Sequence, residues 1–425
     1  MLPKLPQLSL PQMLAIAGGS ILVLLVTCSA PQPTVGVIAR AGQVIAALPT
    51  VTPPQPEGIF GWLSGAQPTA ANISPNSAIV GQAQASGAPT PTFPPGSGPE
   101  APPLSPLGQQ FDSYVTGLLN AQQFHGTVLV ARDGKILLAK GYGPYDTDQP
   151  LLVRSRMRLA SVSKQFTAMG VVQLAARGKI NIDFSVCTYI KDCPPAWKLV
   201  TIKTLLNHTS GLVDYTDFVS FDAAESQATT PAELMSRFRD QPLIFTPGEM
   251  YDYCNSNYVL LGMVIEQVSG QPYAQYMRDN IFAPLQMWDT GFDTSHGNVS
   301  GVSAGYISFW NKSTFLDAST LFSAGGLYST VEDLYRWDQA LYREDLAPKE
   351  WMQQIFTPGH GSYGFGWKIE QIGGRKRISH AGNMTGVYNF IARYPNDKLT
   401  VIVLSNMQYG SAEAVASQLA SIALR

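Results

Sequence analysis

Strand-like patterns lie at both ends of the segment from residue 107 to residue 425, and they constrain its fold more than any other feature. At the start, 126–132 and 135–141 flank an Asp-Gly pair, which is a strong signal for a tight hairpin. At the end, extended apolar runs follow one another at 364–372, 375–379, 386–394 and 399–405. Strands from both ends of the segment therefore have to meet in one sheet.

Helical periodicity is found between the strand patterns and at the margins of the segment. Apolar side chains repeat at roughly helical spacing in six stretches: 111–121, 199–206, 230–238, 259–268, 331–342 and 412–424. We predict an α+β fold in which an antiparallel sheet is built from both ends of the domain, is flanked by helices and carries a mostly helical lobe. A cleft between two such parts is the expected substrate site.

The first thirty residues have the pattern of an export segment. Lys4 supplies a positive charge, and residues 13–26 form an apolar run that is too short to span a membrane comfortably. We predict that residues 1–30 are a signal peptide or a membrane anchor. The Leu-Val-Thr-Cys sequence that ends at Cys28 resembles a bacterial lipobox, which would make Cys28 a lipidated residue. Cleavage near Ala30 and an uncleaved anchor are the alternatives.

Residues 31–106 are rich in proline, alanine and glycine, and their only charged residues are Arg40, Glu57 and Glu100. No strand or helix period persists through them. We predict a disordered linker at 31–106 and a folded domain at 107–425.

The chain has nearly balanced charge, with 28 lysines and arginines against 30 aspartates and glutamates. Without a basic stripe, a nucleic-acid partner is not expected. The five histidines are scattered and no Cys-x-x-Cys or His-Glu-x-x-His occurs, so no metal or other cofactor is expected. Cys187 and Cys193 are close enough for a loop disulfide outside the cytoplasm, and two free thiols are the alternative.

The Ser-Val-Ser-Lys sequence at 161–164 offers a nucleophile and a base. Ser161 and Lys164 are three residues apart, so a helix would place both on one face. A neutral lysine amine can take the proton of the serine hydroxyl and activate it for attack. This requires burial or a nearby cation to lower the pKa of the lysine. The alternative is a capping serine beside a solvated lysine.

Two further stretches supply groups that can complete this pair. Tyr253 offers a phenol that can relay a proton, and Asn255 offers an amide that can both accept and donate hydrogen bonds. His380 is followed by small residues, including Gly382, against which a substrate can lie close, and the Asn383 N–H is a candidate oxyanion donor. The alternatives are a helix cap with packed tyrosines for the first stretch and a bulge or turn with a structural histidine for the second.

In this order the motifs Ser-x-x-Lys, Tyr-x-Asn and His-x-Gly resemble those of the serine hydrolases related to class C β-lactamases and penicillin-binding proteins. The resemblance runs from about residue 107 to the end of the chain. It also takes in connecting segments at 205–212, 245–249, 257–262, 325–334 and 363–367. It implies a β-lactamase/transpeptidase-like fold for the domain at 107–425.

The resemblance also implies a role for each residue. Ser161 would attack an acyl carbon and carry the acyl group as an ester. Lys164 would be the acylation base, alone or together with Tyr253, and Tyr253 would protonate the leaving group. Asn255 would hold the acyl side chain and the lysine. The backbone N–H groups of Ser161 and Asn383 would form the oxyanion hole.

The third motif departs from that of the β-lactamases, which carry a lysine where this chain has His380. We expect a weakly cationic histidine there, which would hold a substrate carboxylate less firmly than lysine does. The replacement of lysine by histidine favours esterases, amidases and D-amino-acid peptidases over penicillin hydrolysis. In this interpretation His380 is a catalytic residue and Gly382 contacts the substrate.

The sequence thus predicts an exported serine hydrolase of the cell envelope, membrane-anchored or extracellular. Its partners would be a small-molecule or peptide acyl substrate and, through the N-terminus, the membrane. One alternative is a penicillin-binding-like sensor or binding domain that is acylated without turnover, and another is a structural envelope protein with a vestigial cleft.

Overall fold

The computed structural model describes residues 104–146, 149–293 and 301–425. The predicted signal or anchor at 1–30 and nearly all of the predicted linker at 31–106 lie outside these residues. The first helix begins at Pro106, where the Ser105 hydroxyl accepts a hydrogen bond of 3.1 Å from the Gly108 N–H. Proline at the first helical position and serine before it are typical of a helix start. In the part of the chain described, no helix is long and apolar enough to cross a membrane.

The described chain alternates between strands and helices. The strands are β1 (Gly126–Arg132), β2 (Lys135–Tyr142), β3 (Pro144–Asp146), β4 (Gln149–Pro150), β5 (Met157–Arg158), β6 (Gly291–Phe292), β7 (Tyr306–Ser308), β8 (Asn311–Lys312), β9 (Leu327–Ser329), β10 (Lys368–Ile372), β11 (Arg375–Met384), β12 (Val387–Tyr394) and β13 (Leu399–Ser405). The helices are α1 (Pro106–Asn120), α2 (Lys164–Ala176), α3 (Ile202–Leu206), α4 (Val219–Ala224), α5 (Pro231–Phe238), α6 (Asn255–Ser269), α7 (Tyr273–Met277), α8 (Phe322–Gly325), α9 (Val331–Ala340), α10 (Lys349–Ile355) and α11 (Ala412–Ala423).

The main sheet has six strands in the order β10-β11-β12-β13-β1-β2, and all neighbouring pairs are antiparallel. The first strand of the domain therefore pairs directly with the last, and β2 extends the sheet on the other side of β1, so strands from both ends meet in one sheet as the sequence predicts. Asp133 and Gly134 join β1 to β2 with φ values of +51° and +76°. Two successive positive φ angles are the requirement of the tight hairpin turn that the Asp-Gly pair indicates.

The two faces of the sheet bury different sets of side chains. Val128 and Val130 face one side, where α1 and α11 pack against the sheet. Leu129, between them, faces the other side and belongs to the core shared with α2 and α6. This alternation follows from the two-residue period of a strand. Helices therefore cover both faces, and the α+β prediction is confirmed.

Helix α2 runs through the centre of the helical lobe, and its residues from Lys164 to Ala175 are all buried. Helix α6 packs against it. A Cβ on Gly262 of α6 would lie 2.0 Å from Ser323 Oγ, so the absence of a side chain lets α6 approach α8. Three helices are thus packed closely around the position of Lys164.

Two elements near the predicted motifs differ from the sequence prediction. Strand β11 continues to Met384 rather than ending at 379, because it pairs with β12 from Ile378 onward. Helix α6 begins at Asn255 rather than at 259. The His380 motif therefore lies within a strand that pairs with β12 without a register shift, and the alternative that placed it in a bulge or turn is wrong.

Among the described residues, Cys187 and Cys193 form a disulfide. The alternative that both are free thiols is therefore wrong. Cys254 is a buried free thiol, and burial raises its pKa to about 12.

Candidate active site

Ser161 lies in a short 3₁₀ turn, Ala160–Ser163, directly before α2. Ala160 has a φ of +49°, a left-handed conformation that is unfavourable for a residue with a side chain. The turn packs against β11, where a Cβ on Gly382 would lie 2.2 Å from the Leu159 carbonyl oxygen. Gly382 is buried there and does not line the cavities beside Ser161. The structure thus places Gly382 against the turn that carries the nucleophile, and its contact with substrate stays a prediction.

The amine of Lys164 is buried and points at Ser161. Its Nζ lies 3.0 Å from Ser161 Oγ, 2.7 Å from Asn255 Oδ1 and 2.9 Å from the Ala324 carbonyl oxygen. Burial lowers the pKa of Lys164 to about 7, although the charge of Asp214 opposes this shift. A substantial fraction of the amine is therefore neutral near pH 7 and can accept the proton of the Ser161 hydroxyl. The solvated-lysine alternative is wrong.

Asn255 is fixed in one orientation by a carboxylate that the sequence analysis did not identify. Its Nδ2 donates to Asp214 Oδ2 at 2.9 Å and to Thr216 Oγ1 at 3.1 Å, and its backbone N–H donates to the same carboxylate at 2.8 Å. Since both amide hydrogens point to these groups, Oδ1 is left to accept from Lys164. Asp214 follows the motif segment 205–212 by two residues, which is the only sequence signal that could have drawn attention to it.

Tyr253 lies over the lysine and beside the serine. The Lys164 Nζ is 4.8 Å from the centre of the Tyr253 ring. Burial raises the pKa of the Tyr253 phenol well above 10, and a hydrogen bond with Ser161 offsets this only in part. The phenol is therefore protonated near pH 7. These opposite shifts favour Lys164 as the base and Tyr253 as the proton donor.

His380 is uncharged in this environment. Its Nδ1 lies 2.6 Å from the Ala381 carbonyl oxygen, which only an N–H can satisfy, and in the neutral ring Nε2 then accepts from the Tyr363 hydroxyl at 2.8 Å. Burial, aided by the charge of Lys164, lowers the pKa of His380 to about 3. The expectation of a weakly cationic histidine is therefore wrong, because burial removes the charge.

The strand that carries His380 also brings Asn383 to the site. Strand β10 pairs with β11 only from Ser379 back to Arg375, so this edge of β11 is uncovered by β10 beyond that point. Asn383 is exposed there and lines the same cavities as Ser161. This placement is suitable for an oxyanion donor, since a carbonyl attacked by Ser161 would lie against the edge of the strand.

Comparisons with known proteins show the family of this chain. The family model described as Beta-lactamase matches residues 111–424. The chain belongs to the β-lactamase family. It is 32% identical over 312 residues to Penicillin-binding protein 4* of Bacillus subtilis (strain 168), which covers 67% of this chain and 69% of the relative.

Solved structures of similar fold include a penicillin-binding protein from Bacillus halodurans, with 27% identity and a TM-score of 0.65 over 73% of this chain and 99% of that one. A D-amino acid amidase from Ochrobactrum anthropi SV3 aligns with a TM-score of 0.67 at 21% identity, over 75% of this chain and 99% of that one. The predicted β-lactamase/transpeptidase-like fold is confirmed.

This β-lactamase-family protein holds Tyr253 in place with a histidine that the sequence analysis passed over. His208 is buried, and the centre of its ring lies 4.3 Å from that of Tyr253 and 4.7 Å from that of Tyr363. Its Nδ1 accepts a hydrogen bond of 3.1 Å from the Cys254 N–H, which fixes the backbone next to Tyr253. Burial lowers the pKa of His208 well below 6.5, so it is neutral. It belongs to the segment 205–212 that carries the family resemblance.

Two cavities open on the nucleophile of this family member. One has a volume of about 530 Å³ and is lined by Tyr253, Tyr363 and His380, among others. The second has a volume of about 230 Å³ and is lined by Thr216 and Glu225, among others. Ser161, Asn255 and Asn383 line both. The reacting groups therefore lie where the two cavities meet.

No candidate metal ligands can be assigned in the described ranges, because no group of three or more histidine, cysteine, aspartate or glutamate side chains is placed there to hold an ion. The site consists of a serine hydroxyl, an amine, a phenol and backbone N–H groups, and such a set is suited to acyl transfer. Family membership and this arrangement together support a hydrolase.

Proposed function

We propose that the protein is an exported serine hydrolase that cleaves an ester, amide or peptide through an acyl-enzyme on Ser161. One observation carries the proposal: a buried lysine with a pKa of about 7 lies 3.0 Å from the Ser161 hydroxyl. A base that is partly neutral near pH 7 and in contact with a hydroxyl is the arrangement that activates a serine for attack.

Acylation moves one proton from the nucleophile to the leaving group. Neutral Lys164 takes the Ser161 proton, and Oγ forms a bond to the substrate carbonyl carbon. The negative oxygen that results is held by the backbone N–H groups of Ser161 and Asn383. Tyr253 donates its proton to the leaving group as that bond breaks, and the phenolate regains a proton from the Lys164 ammonium. The serine proton thus leaves with the alcohol or amine.

Deacylation uses the same groups in reverse. A water molecule gives a proton to Lys164 through Tyr253, and its oxygen attacks the ester carbon. The bond between the acyl carbon and Ser161 Oγ breaks, and Oγ takes back from Lys164 and Tyr253 the proton that they had accepted from the water. The enzyme returns to its starting state, and the acyl group leaves as a carboxylic acid.

The charges around the larger cavity favour esters and amides over penicillins. His380 is neutral and supplies no cation for a substrate carboxylate. Lys368 and Arg377 line the same cavity, but each pairs with Glu370, at 3.0 Å and 2.7 Å. Arg377 also pairs with Glu413 at 3.1 Å. Because the charges of Lys368 and Arg377 are already neutralised by these glutamates, tight binding of a substrate carboxylate is not expected.

Export to the cell envelope is proposed from residues 1–30 and from chemistry inside the domain. The positive charge and short apolar run of that segment have the order of a signal or an anchor. The Cys187–Cys193 disulfide supports an oxidising location, because such bonds are rare in the cytosol. We include membrane attachment through the N-terminus in the proposal. Cell fractionation with epitope-tagged full-length protein tests the proposed export, and recovery of the protein in the cytosolic fraction would contradict it.

Hydrolysis of chromogenic short-chain esters by the full chain tests the enzyme proposal. Wild-type protein is expected to turn over p-nitrophenyl acetate, and Ser161→Ala is expected to lose activity by at least about 10³-fold. Ser236→Ala, at an exposed position on α5, is the matched control and should retain full activity. Equal activity of wild type and Ser161→Ala would contradict the assignment of the nucleophile.

The name of the 32% identical relative favours a second candidate, a penicillin-binding-like sensor or binding domain that is acylated without turnover. Pre-steady-state kinetics separate the two, since a single burst of product with no later release would support the sensor. The intact contacts of Lys164 with Ser161, Asn255 and Ala324 weigh against a vestigial cleft.

A further inference from the structure

The two cavities that meet at Ser161 can be assigned to the two halves of a substrate. Tyr253 lines the cavity of about 530 Å³ and not the cavity of about 230 Å³. Because the leaving group has to lie beside its proton donor, the larger cavity receives it and the smaller cavity receives the acyl group. This step rests on the proposed function.

The smaller cavity has a positioned carboxylate in its wall. Glu225 is half-buried at the end of α4, and its Oε2 accepts a hydrogen bond of 3.2 Å from Thr385 Oγ1. The backbone N–H of Asp317 donates to the Glu225 carbonyl oxygen at 2.8 Å. Thr385 follows Asn383 by two residues. The carboxylate is therefore fixed relative to the strand that carries the oxyanion donor.

The charge of this carboxylate is not balanced within the cavity. Asp222 also lines it, and among the described residues no lysine, arginine or histidine does. The amine of Lys164 lies at the nucleophile and contacts Ser161, Asn255 and Ala324 instead. A recess whose charged groups all have one sign favours a ligand of the opposite sign.

We propose that the smaller cavity binds an acyl group that carries a protonated amine, and that Glu225 is the residue that selects it. The substrate class is then an ester, amide or short peptide whose acylating residue has a free α-amine. At about 230 Å³ the cavity is below the range of pockets that take drug-sized ligands, and this size fits a single aminoacyl residue.

Paired substrates that differ only at the amine test the proposal. The p-nitroanilides of D-alanine and L-alanine are compared with their N-acetyl counterparts on the full chain, with p-nitrophenyl acetate as a reference ester. For at least one enantiomer we expect kcat/KM of the free-amine substrate to exceed that of the N-acetyl substrate by about tenfold or more. In Glu225→Gln this ratio is expected to fall about tenfold.

The ratio is insensitive to partial loss of folded protein, because both substrates report on the same active molecules. Glu344→Gln removes one exposed carboxylate outside the cavity, and this control is expected to keep the wild-type ratio. Equal or faster turnover of the N-acetyl substrates by wild type would overturn the proposal, as would a Glu225→Gln variant with an unchanged ratio. Turnover of p-nitrophenyl acetate with no free-amine substrate cleaved would overturn it while leaving the serine hydrolase intact. Failure with every substrate would overturn both.

Discussion

The hydroxyl of Tyr363 lies 2.8 Å from Nε2 of His380, and it donates a hydrogen bond to that nitrogen. Burial keeps the His380 imidazole neutral. Its Nδ1–H donates to the Ala381 carbonyl oxygen, so Nε2 is left to accept from Tyr363. The related β-lactamases carry a lysine at this position, and this protein has the uncharged imidazole of His380 there. The larger cavity keeps a polar lining there without a free cation.

His380 is accordingly expected to remain neutral far below the ordinary pKa of histidine. Burial lowers its pKa to about 3, so its imidazole should show the Nδ1–H tautomer throughout the range from about pH 5 to 8. Nitrogen-15 NMR of the histidine side chains measures this directly, and a His380→Gln variant assigns the resonance. Titration of that resonance near pH 6.5 would contradict the account.

The rate of ester hydrolysis should rise with pH through the pKa of Lys164. Only the neutral amine can take the Ser161 proton, and the pKa of that amine is about 7. Below pH 7 we expect kcat/KM for a neutral ester to fall about tenfold per pH unit, and above it to level off. A plateau that extends down to pH 5 would show that another group is the base.

Removal of the Asp214 charge should move this limb of the pH profile to lower pH. The carboxylate raises the pKa of Lys164, so Asp214→Asn lowers it further. The same change weakens the hold on Asn255, and we expect a drop in maximal kcat of about tenfold. Asp217→Asn is the control, since Asp217 is exposed three residues away. A limb that moves to higher pH in Asp214→Asn would contradict the assigned electrostatics.

His208 should act as a positioning residue for Tyr253. Its ring packs 4.3 Å from the Tyr253 ring, and its Nδ1 accepts from the Cys254 N–H. His208→Ala removes both contacts, and we expect a loss of about 2–4 kcal/mol of unfolding free energy by urea titration. In the molecules that stay folded, kcat should fall more than KM rises, because the proton donor is displaced while the cavities remain. His208→Phe keeps the packing and should recover part of the stability. Equal kcat in all three proteins would exclude the positioning role.

The pairing at the centre of the sheet could be predicted from the sequence alone. Alternation of apolar residues and an Asp-Gly turn are local signals, so β1, β2 and β13 could be placed from the sequence. Ser161 and Lys164 are close along the chain. The family resemblance predicted that Tyr253 and His380 lie beside them. Local sequence patterns could not have predicted this, because both residues are distant along the chain.

The charge states and the supporting contacts could not be predicted, because they depend on residues distant in sequence. The neutral state of His380 depends on its burial and on contact with Tyr363, and nothing in the local sequence indicates either. The small and polar residues from 379 to 383 break the alternation of a strand, and the pairing with β12 keeps them extended. The role of Asp214 became visible only through its hydrogen bonds to Asn255.

The most direct test of the central claim is to map the site of covalent modification by a fluorophosphonate probe. The full chain is labelled near pH 8, digested and analysed by peptide mass spectrometry, with Lys164→Met and Ser161→Ala treated in parallel. The account predicts a single adduct on Ser161 in the wild type, slower labelling by at least about 10²-fold in Lys164→Met and none in Ser161→Ala. An adduct on another serine, or labelling of Ser161→Ala at the wild-type rate, would contradict it.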